Sequence, residues 1–90
     1  MSVKINIPPF LQHLANDVKV AEAKGSTVGE CLNDLVNQFP HMEELLFDEN
    51  GNLVRHVDVY VNGESAYPED LAKPVNDRDE LYILLVIVGG

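Results

Sequence analysis

Few residues of the types that carry chemistry stand where chemistry could use them. The chain has one cysteine, Cys31, and three histidines, His13, His41 and His56. Cys31 has no histidine near it in sequence, so the pattern holds no nucleophile–base pair. With no second cysteine it forms no internal disulfide and reads as a small core residue. The histidines fall at no metal-ligand spacing. Asp48, Asn50 and Asn52 start the register of a calcium loop, but the sixth position is Leu53 instead of glycine and the twelfth is Val59 instead of glutamate. Asp77, Asp79 and Glu80 read as a solvated charged turn, with no oxygen-rich set around them to hold a cation. No glycine loop cradles a phosphate. By its own residues the chain does not read as an enzyme.

One chemical feature remains, at the end of the stretch L-L-V-I-V-G-G (residues 84–90). A terminal carboxylate is a poor electrophile until it is activated, for example as an acyl-adenylate. An activating enzyme must bring ATP to it in a water-poor cleft that a bulky tail does not thread. Gly89 and Gly90 lack a Cβ and allow close backbone approach. Gly90 is therefore the candidate reacting group, with Gly89 giving access. Val86, Ile87 and Val88 are candidates for a docking surface next to it, or else complete a core strand.

The elements that must position this tail are legible in part. Residues 3–7 alternate apolar and polar as a half-buried strand does, and Pro8-Pro9 ends it. Phe10, Leu11 and Leu14 tuck a loop onto the core, and residues 17–21 alternate again as a second strand able to pair with the first. Thr27 followed by Glu30 is a capping box. Val28, Cys31, Leu32, Leu35, Val36 and Phe39 then form one apolar stripe, and Pro40 ends the helix. A further helical turn at 41–47 brings Met42, Leu45 and Leu46 under cover. Residues 48–52 are a turn, 57–61 a strictly alternating strand, and Asn62-Gly63 a tight hairpin turn. A short helical turn at 68–72 is anchored by Leu71, and 76–80 is a polar turn. Residues 81–88 form the last strand, apolar on both faces and hence central, with Leu84 and Leu85 assigned to the fold.

Five strands or four, with one main helix of about three turns, are most economically arranged as a mixed sheet wrapped across that helix. This is the α+β β-grasp, or ubiquitin-like, fold, here one domain over residues 1–90 with a flexible Gly-Gly tail at 89–90. A single thiol excludes the iron–sulfur role of β-grasp ferredoxins, which needs about four ligands. The formal charge of −9, from 15 acidic and 6 basic residues, argues against nucleic acid and anionic membrane as partners and permits steered docking to a basic protein. The longest apolar run, residues 81–88, is far short of the roughly 20 residues of a membrane helix. The start of the chain lacks a signal-peptide pattern, so the cytoplasm is the expected compartment.

β-grasp order, the Val61-Asn62-Gly63 hairpin, the polar turn Asn76-Asp77-Arg78-Asp79-Glu80, a long apolar last strand and terminal Gly-Gly together resemble the MoaD/ThiS family of sulfur carriers. The middle section, from Phe39-Pro40-His41 to Asn62-Gly63-Glu64, resembles the family's longer, CysO-like type. The resemblance implies that Gly90 is adenylated by a MoeB/ThiF-like enzyme, which itself binds the ATP and Mg²⁺; this chain binds no cofactor. Sulfur from a persulfide or sulfide then displaces AMP, and the Gly90 thiocarboxylate donates sulfur to a biosynthetic enzyme, of a cysteine, methionine, thiamin or molybdopterin type of pathway. It implies docking through Val86, Ile87 and Val88. The tail here, Leu85-Val86-Ile87-Val88, lacks the proline and small residues that often precede Gly-Gly in the family. A ubiquitin-like modifier conjugated through Gly90, the small subunit of molybdopterin synthase, and an interaction module whose glycines are incidental are the other readings.

Overall fold

In the computed structural model, which describes residues 2–86, five strands form one sheet. They are β1 (Ser2–Asn6), β2 (Val20–Lys24), β3 (Val57–Val61), β4 (Glu64–Ser65) and β5 (Glu80–Leu85). Their order across the sheet is β2-β1-β5-β3-β4. β1 and β5 run parallel in the middle, with Ile5 opposite Leu81. β2 pairs antiparallel with β1, Ala21 opposite Ile5, and β3 antiparallel with β5, Val59 opposite Ile83. The main helix, α2 (Val28–Gln38), packs on one face. Period-2 alternation decides which side chains meet it: Val3, Ile5, Ala21, Ala23, Val57, Val59, Val61, Leu81 and Ile83 are buried, together with Val28, Cys31, Leu32 and Leu35 of the helix. No polar or charged residue is buried among those described. This is the β-grasp fold, and β5 is its central strand beside β1.

Local chemistry explains where α2 starts and stops. Thr27 Oγ1 accepts the Glu30 N–H at 3.2 Å. The Glu30 carboxylate then turns back one residue further than a capping box requires, accepting the Ser26 N–H at 2.8 Å and the Ser26 hydroxyl at 3.0 Å. Those bonds hold its carboxyl below the ordinary carboxylate range. Phe39 leaves helical angles before Pro40 (φ −132°, ψ 81°). A 3-10 turn at Pro40–Met42 and the short α3 (Glu43–Leu46) follow. The far side of α2 meets the loop at 70–75. A Cβ on Gly29 would stand 3.0 Å from the Leu71 carbonyl oxygen, so glycine permits that approach. The Val28 N–H donates to the Lys73 carbonyl at 2.9 Å and the Val75 N–H to that of Ser26 at 3.0 Å.

Several sequence expectations shift. The segment after Pro8-Pro9 is helical: Pro9 opens α1 (Pro9–Gln12) and a 3-10 turn follows at His13–Ala15. Proline suits a first helical position, where its missing N–H costs no bond. The second strand runs Val20–Lys24 instead of 17–21. Asn16 and Asp17 both take left-handed angles (φ 53° and 62°), conformations that asparagine and aspartate tolerate, and the chain extends only after them. Ala21 and Ala23 therefore point inward, while Val20 is exposed. Leu45, expected under cover, is also exposed, although Met42 and Leu46 beside it are buried. The turn at 68–72 narrows to a 3-10 turn at Asp70–Ala72 with Leu71 half-buried against the core.

Candidate functional site

β5 is held at both ends. At its start, two turns read separately in the sequence are joined. Asn62 and Gly63 take φ of 50° and 90°, the pair of positive values a two-residue hairpin needs. The Asn62 side chain donates to Asp79 Oδ1 at 2.9 Å and accepts the Glu80 N–H at 2.9 Å. Its own N–H donates to the Glu80 carbonyl at 2.8 Å. The other Asp79 oxygen accepts the Asn76 N–H at 2.8 Å. Beside it, Asp77 Oδ1 accepts the Ser2 N–H at 3.0 Å, a bond that lowers the Asp77 pKa. At its far end the Val86 N–H donates to the His56 carbonyl at 2.7 Å, carrying the pairing with the β3 side one step past the strand. The backbone is thus registered from Asn76 to Val86. The candidates Ile87, Val88, Gly89 and Gly90 lie outside the described residues.

Leu84 and Leu85 do not serve the core as expected. Among the described residues only one face of the sheet is covered, so a strand apolar on both faces must show one of them. Leu81 and Ile83 are buried, whereas Tyr82, Leu84 and Val86, on the other face, expose 39%, 40% and 40% of their surface; Leu85, on the covered face opposite Val57, exposes 52% at the end of the strand. Register places Tyr82 between Asn6 of β1 and Tyr60 of β3, and Leu84 opposite Asp58. The apolar surface therefore starts four residues before Val86 and widens across the open face at Tyr60. Polar groups bound it. Asp58 accepts the Ser65 hydroxyl at 3.0 Å and the Val59 N–H at 2.9 Å, and Arg55, Tyr67 and Asp70 line a groove of about 440 Å³ together with Val86. The signal for Tyr82 and Leu84 is present in the sequence as a two-faced apolar strand. That pattern marks a strand covered on both sides or a strand with a docking face, and only the layer count separates the two.

The other chemistry-bearing residues are placed apart from this strand end. Cys31 is fully buried, and burial, with the negative charges of Glu30, Asp34 and Asp79, pushes its thiol up to about 11. It is neutral at physiological pH and no nucleophile. His13, His41 and His56 are all exposed. Among the described residues no three of His, Cys, Asp or Glu are grouped to hold a metal ion, and no helix is long and apolar enough to cross a membrane.

Residues 5–90 match the ThiS family. The chain belongs to that family. It is 33% identical to the sulfur carrier protein CysO of Mycobacterium tuberculosis over 93 aligned positions that cover all of both chains. It is 34% identical to small archaeal modifier protein 1 of Haloferax volcanii, over 81% of this chain and 80% of that one. Among solved structures, the Amycolatopsis orientalis BexX/CysO complex contains a chain that superposes with a TM-score of 0.88 at 35% identity, covering 98% of this chain and 99% of that one. The match to the family reaches residue 90, so this member carries the tail stretch within the aligned region.

Proposed function

We propose that this chain is a sulfur carrier whose Gly90 carboxylate is the reacting group. The coarser reading, a small ubiquitin-like carrier or modifier, follows from its ThiS-family membership and its full-length likeness to CysO. The observation that favours the chemistry is the form of β5: a rigidly registered central strand with an exposed apolar end, leading to two glycines. A MoeB/ThiF-like partner binds ATP and Mg²⁺. The Gly90 carboxylate oxygen attacks the α-phosphorus, a P–O bond to the leaving pyrophosphate breaks, and an acyl-adenylate forms. Hydrosulfide then attacks the acyl carbon; AMP leaves with the bonding electron pair and a proton is released, giving the thiocarboxylate. The chain is a co-substrate in both steps and not their catalyst. It then hands sulfide to a biosynthetic enzyme. Tyr82, Leu84, Leu85 and Val86, continued by Ile87 and Val88, dock the partner; Gly89 and Gly90 enter its cleft.

Intact mass tests this. After incubation with such an enzyme, ATP, Mg²⁺ and sulfide, the chain gains the difference between sulfur and oxygen, and a Gly90 deletion variant does not. An unchanged mass with several competent activating enzymes overturns the reading. The likeness to small archaeal modifier protein 1 favours a second use of the same adenylate, attack by a lysine amine. That use gives higher-mass conjugates in cell extract without added sulfide, and their absence alongside thiocarboxylate formation leaves carriage of sulfur as the role.

A further inference from the structure

The sheet has one long free edge, β2, and that edge is occupied from within. The Ile7 N–H donates to the Lys19 carbonyl at 2.8 Å, so the odd-numbered residues of this strand turn their backbone groups toward β1. Those of Val20, Glu22 and Lys24 therefore point outward. An exposed edge of this kind is a template for another strand. Two side chains of α2 engage two of these outward groups. The Lys24 N–H donates to Asp34 Oδ2 at 2.9 Å, and Gln38 Nε2 donates to the Glu22 carbonyl at 2.7 Å. Gln38 also donates to Asp34 Oδ2 at 3.3 Å, so the two act as a unit four residues apart on one helix face. The carbonyl of one residue and the N–H of the residue two further on are the two groups that a single residue of an added parallel strand uses. The carboxylate and carboxamide thus stand in for the missing neighbour's peptide groups.

We propose that the Asp34–Gln38 pair is an autoinhibitory contact: with it removed, β2 pairs antiparallel with β2 of a second copy, in a register that sets Glu22 opposite Lys24. Charge complementarity selects that occupant and that register. Glu22 and Lys24 are both exposed on the open face, and a two-fold axis at Ala23 makes two Glu–Lys cross-strand pairs. An axis at Glu22 instead sets like charges against each other, which is unfavourable. The chosen register needs the outward N–H and carbonyl of both Glu22 and Lys24, and the pair now holds the Glu22 carbonyl and the Lys24 N–H. The contact keeps the chain single, and is independent of what Gly90 does.

Sedimentation of the double variant D34A/Q38A tests the proposal. The variant is expected at twice the 10.0 kDa monomer mass, with the wild type at the monomer mass, and adding Lys24→Glu is expected to return it to monomer. A folded D34A/Q38A variant that stays monomeric, or a dimer that survives Lys24→Glu, overturns it. Amide exchange supplies a reading even where the double variant folds poorly. In the wild type the Lys24 amide is expected to be protected although it lies on an edge, and Asp34→Ala to speed its exchange about tenfold or more, the effect of losing a bond to a charged acceptor. Unchanged exchange in Asp34→Ala overturns the contact itself.

Discussion

Leu81 and Leu84 stand three positions apart on one strand and face opposite sides of the sheet. Leu81 is fully buried under α2, whereas Leu84 exposes 40% of its surface on the open face. Truncating each to alanine is expected to separate folding from docking. Leu81→Ala should cost about 2–5 kcal/mol in chemical denaturation, as a core cavity does. Leu84→Ala should stay within about 0.5 kcal/mol of the wild type, yet lower kcat/KM for activation by the partner enzyme about tenfold, as loss of an interface anchor does. Activation of Leu84→Ala at the wild-type rate would remove the open face from the docking surface. Cys31 makes a second residue-level prediction. Its thiol, ordinarily near 9.0, is pushed up to about 11 in the fold, so the neutral form is the folded one. The unfolded chain loses its proton first as pH rises; stability is then full below pH 9 and falls between pH 9 and about 11, by at most about 1.4 kcal/mol per pH unit. Thermal unfolding followed across that window should show the decline in the wild type and a flatter curve in Cys31→Ala.

Among the elements, those fixed by strong local signals are legible in the sequence and those fixed by tertiary context are not. The capped helix, the alternating strand at 57–61 and the Asn-Gly hairpin stand where their residues place them. The second strand shifts because its apolar alternation changes phase between Val20 and Ala21, and two left-handed residues, Asn16 and Asp17, delay where it begins. The last strand is plain from its apolar run, but two apolar faces give no hint that one of them is open, so Tyr82 and Leu84 do not read as surface, and nothing in the run marks Leu85 as the exposed end of the covered face. The joint between the two turns at the start of β5 is equally hidden, since Asn62 and Asp79 are 17 positions apart. That joint gives an element-level prediction. Asn62→Gly keeps the positive φ and removes the side-chain bonds, and should cost about 1–2 kcal/mol. Asn62→Ala loses the bonds and adds left-handed strain, for about 1–2 kcal/mol more. Equal denaturation midpoints for Asn62→Gly and the wild type would show that the hairpin alone orders the strand.

At the scale of the whole molecule, charge is the property that folding leaves least compensated. Fifteen carboxylates face six basic side chains, and the one ion pair among the described residues, Lys73 with Glu69, is a surface contact at 3.7 Å that contributes little. The field is therefore largely unbalanced, and it acts with opposite signs on two processes. Within the chain, like charges repel and oppose the compact state. Toward a partner with a basic docking surface, the same field speeds encounter. Raising salt from about 0.01 M to about 0.15 M shortens the Debye length from about 30 Å to about 8 Å. One titration should consequently raise the melting temperature while lowering the association rate with the activating enzyme about tenfold, the low end of electrostatic steering. Stopped-flow association and thermal melting over the same salt series check both signs. A melting temperature that climbs while association stays constant would assign the acidic surface to solubility alone, and would leave recognition to the apolar end of β5.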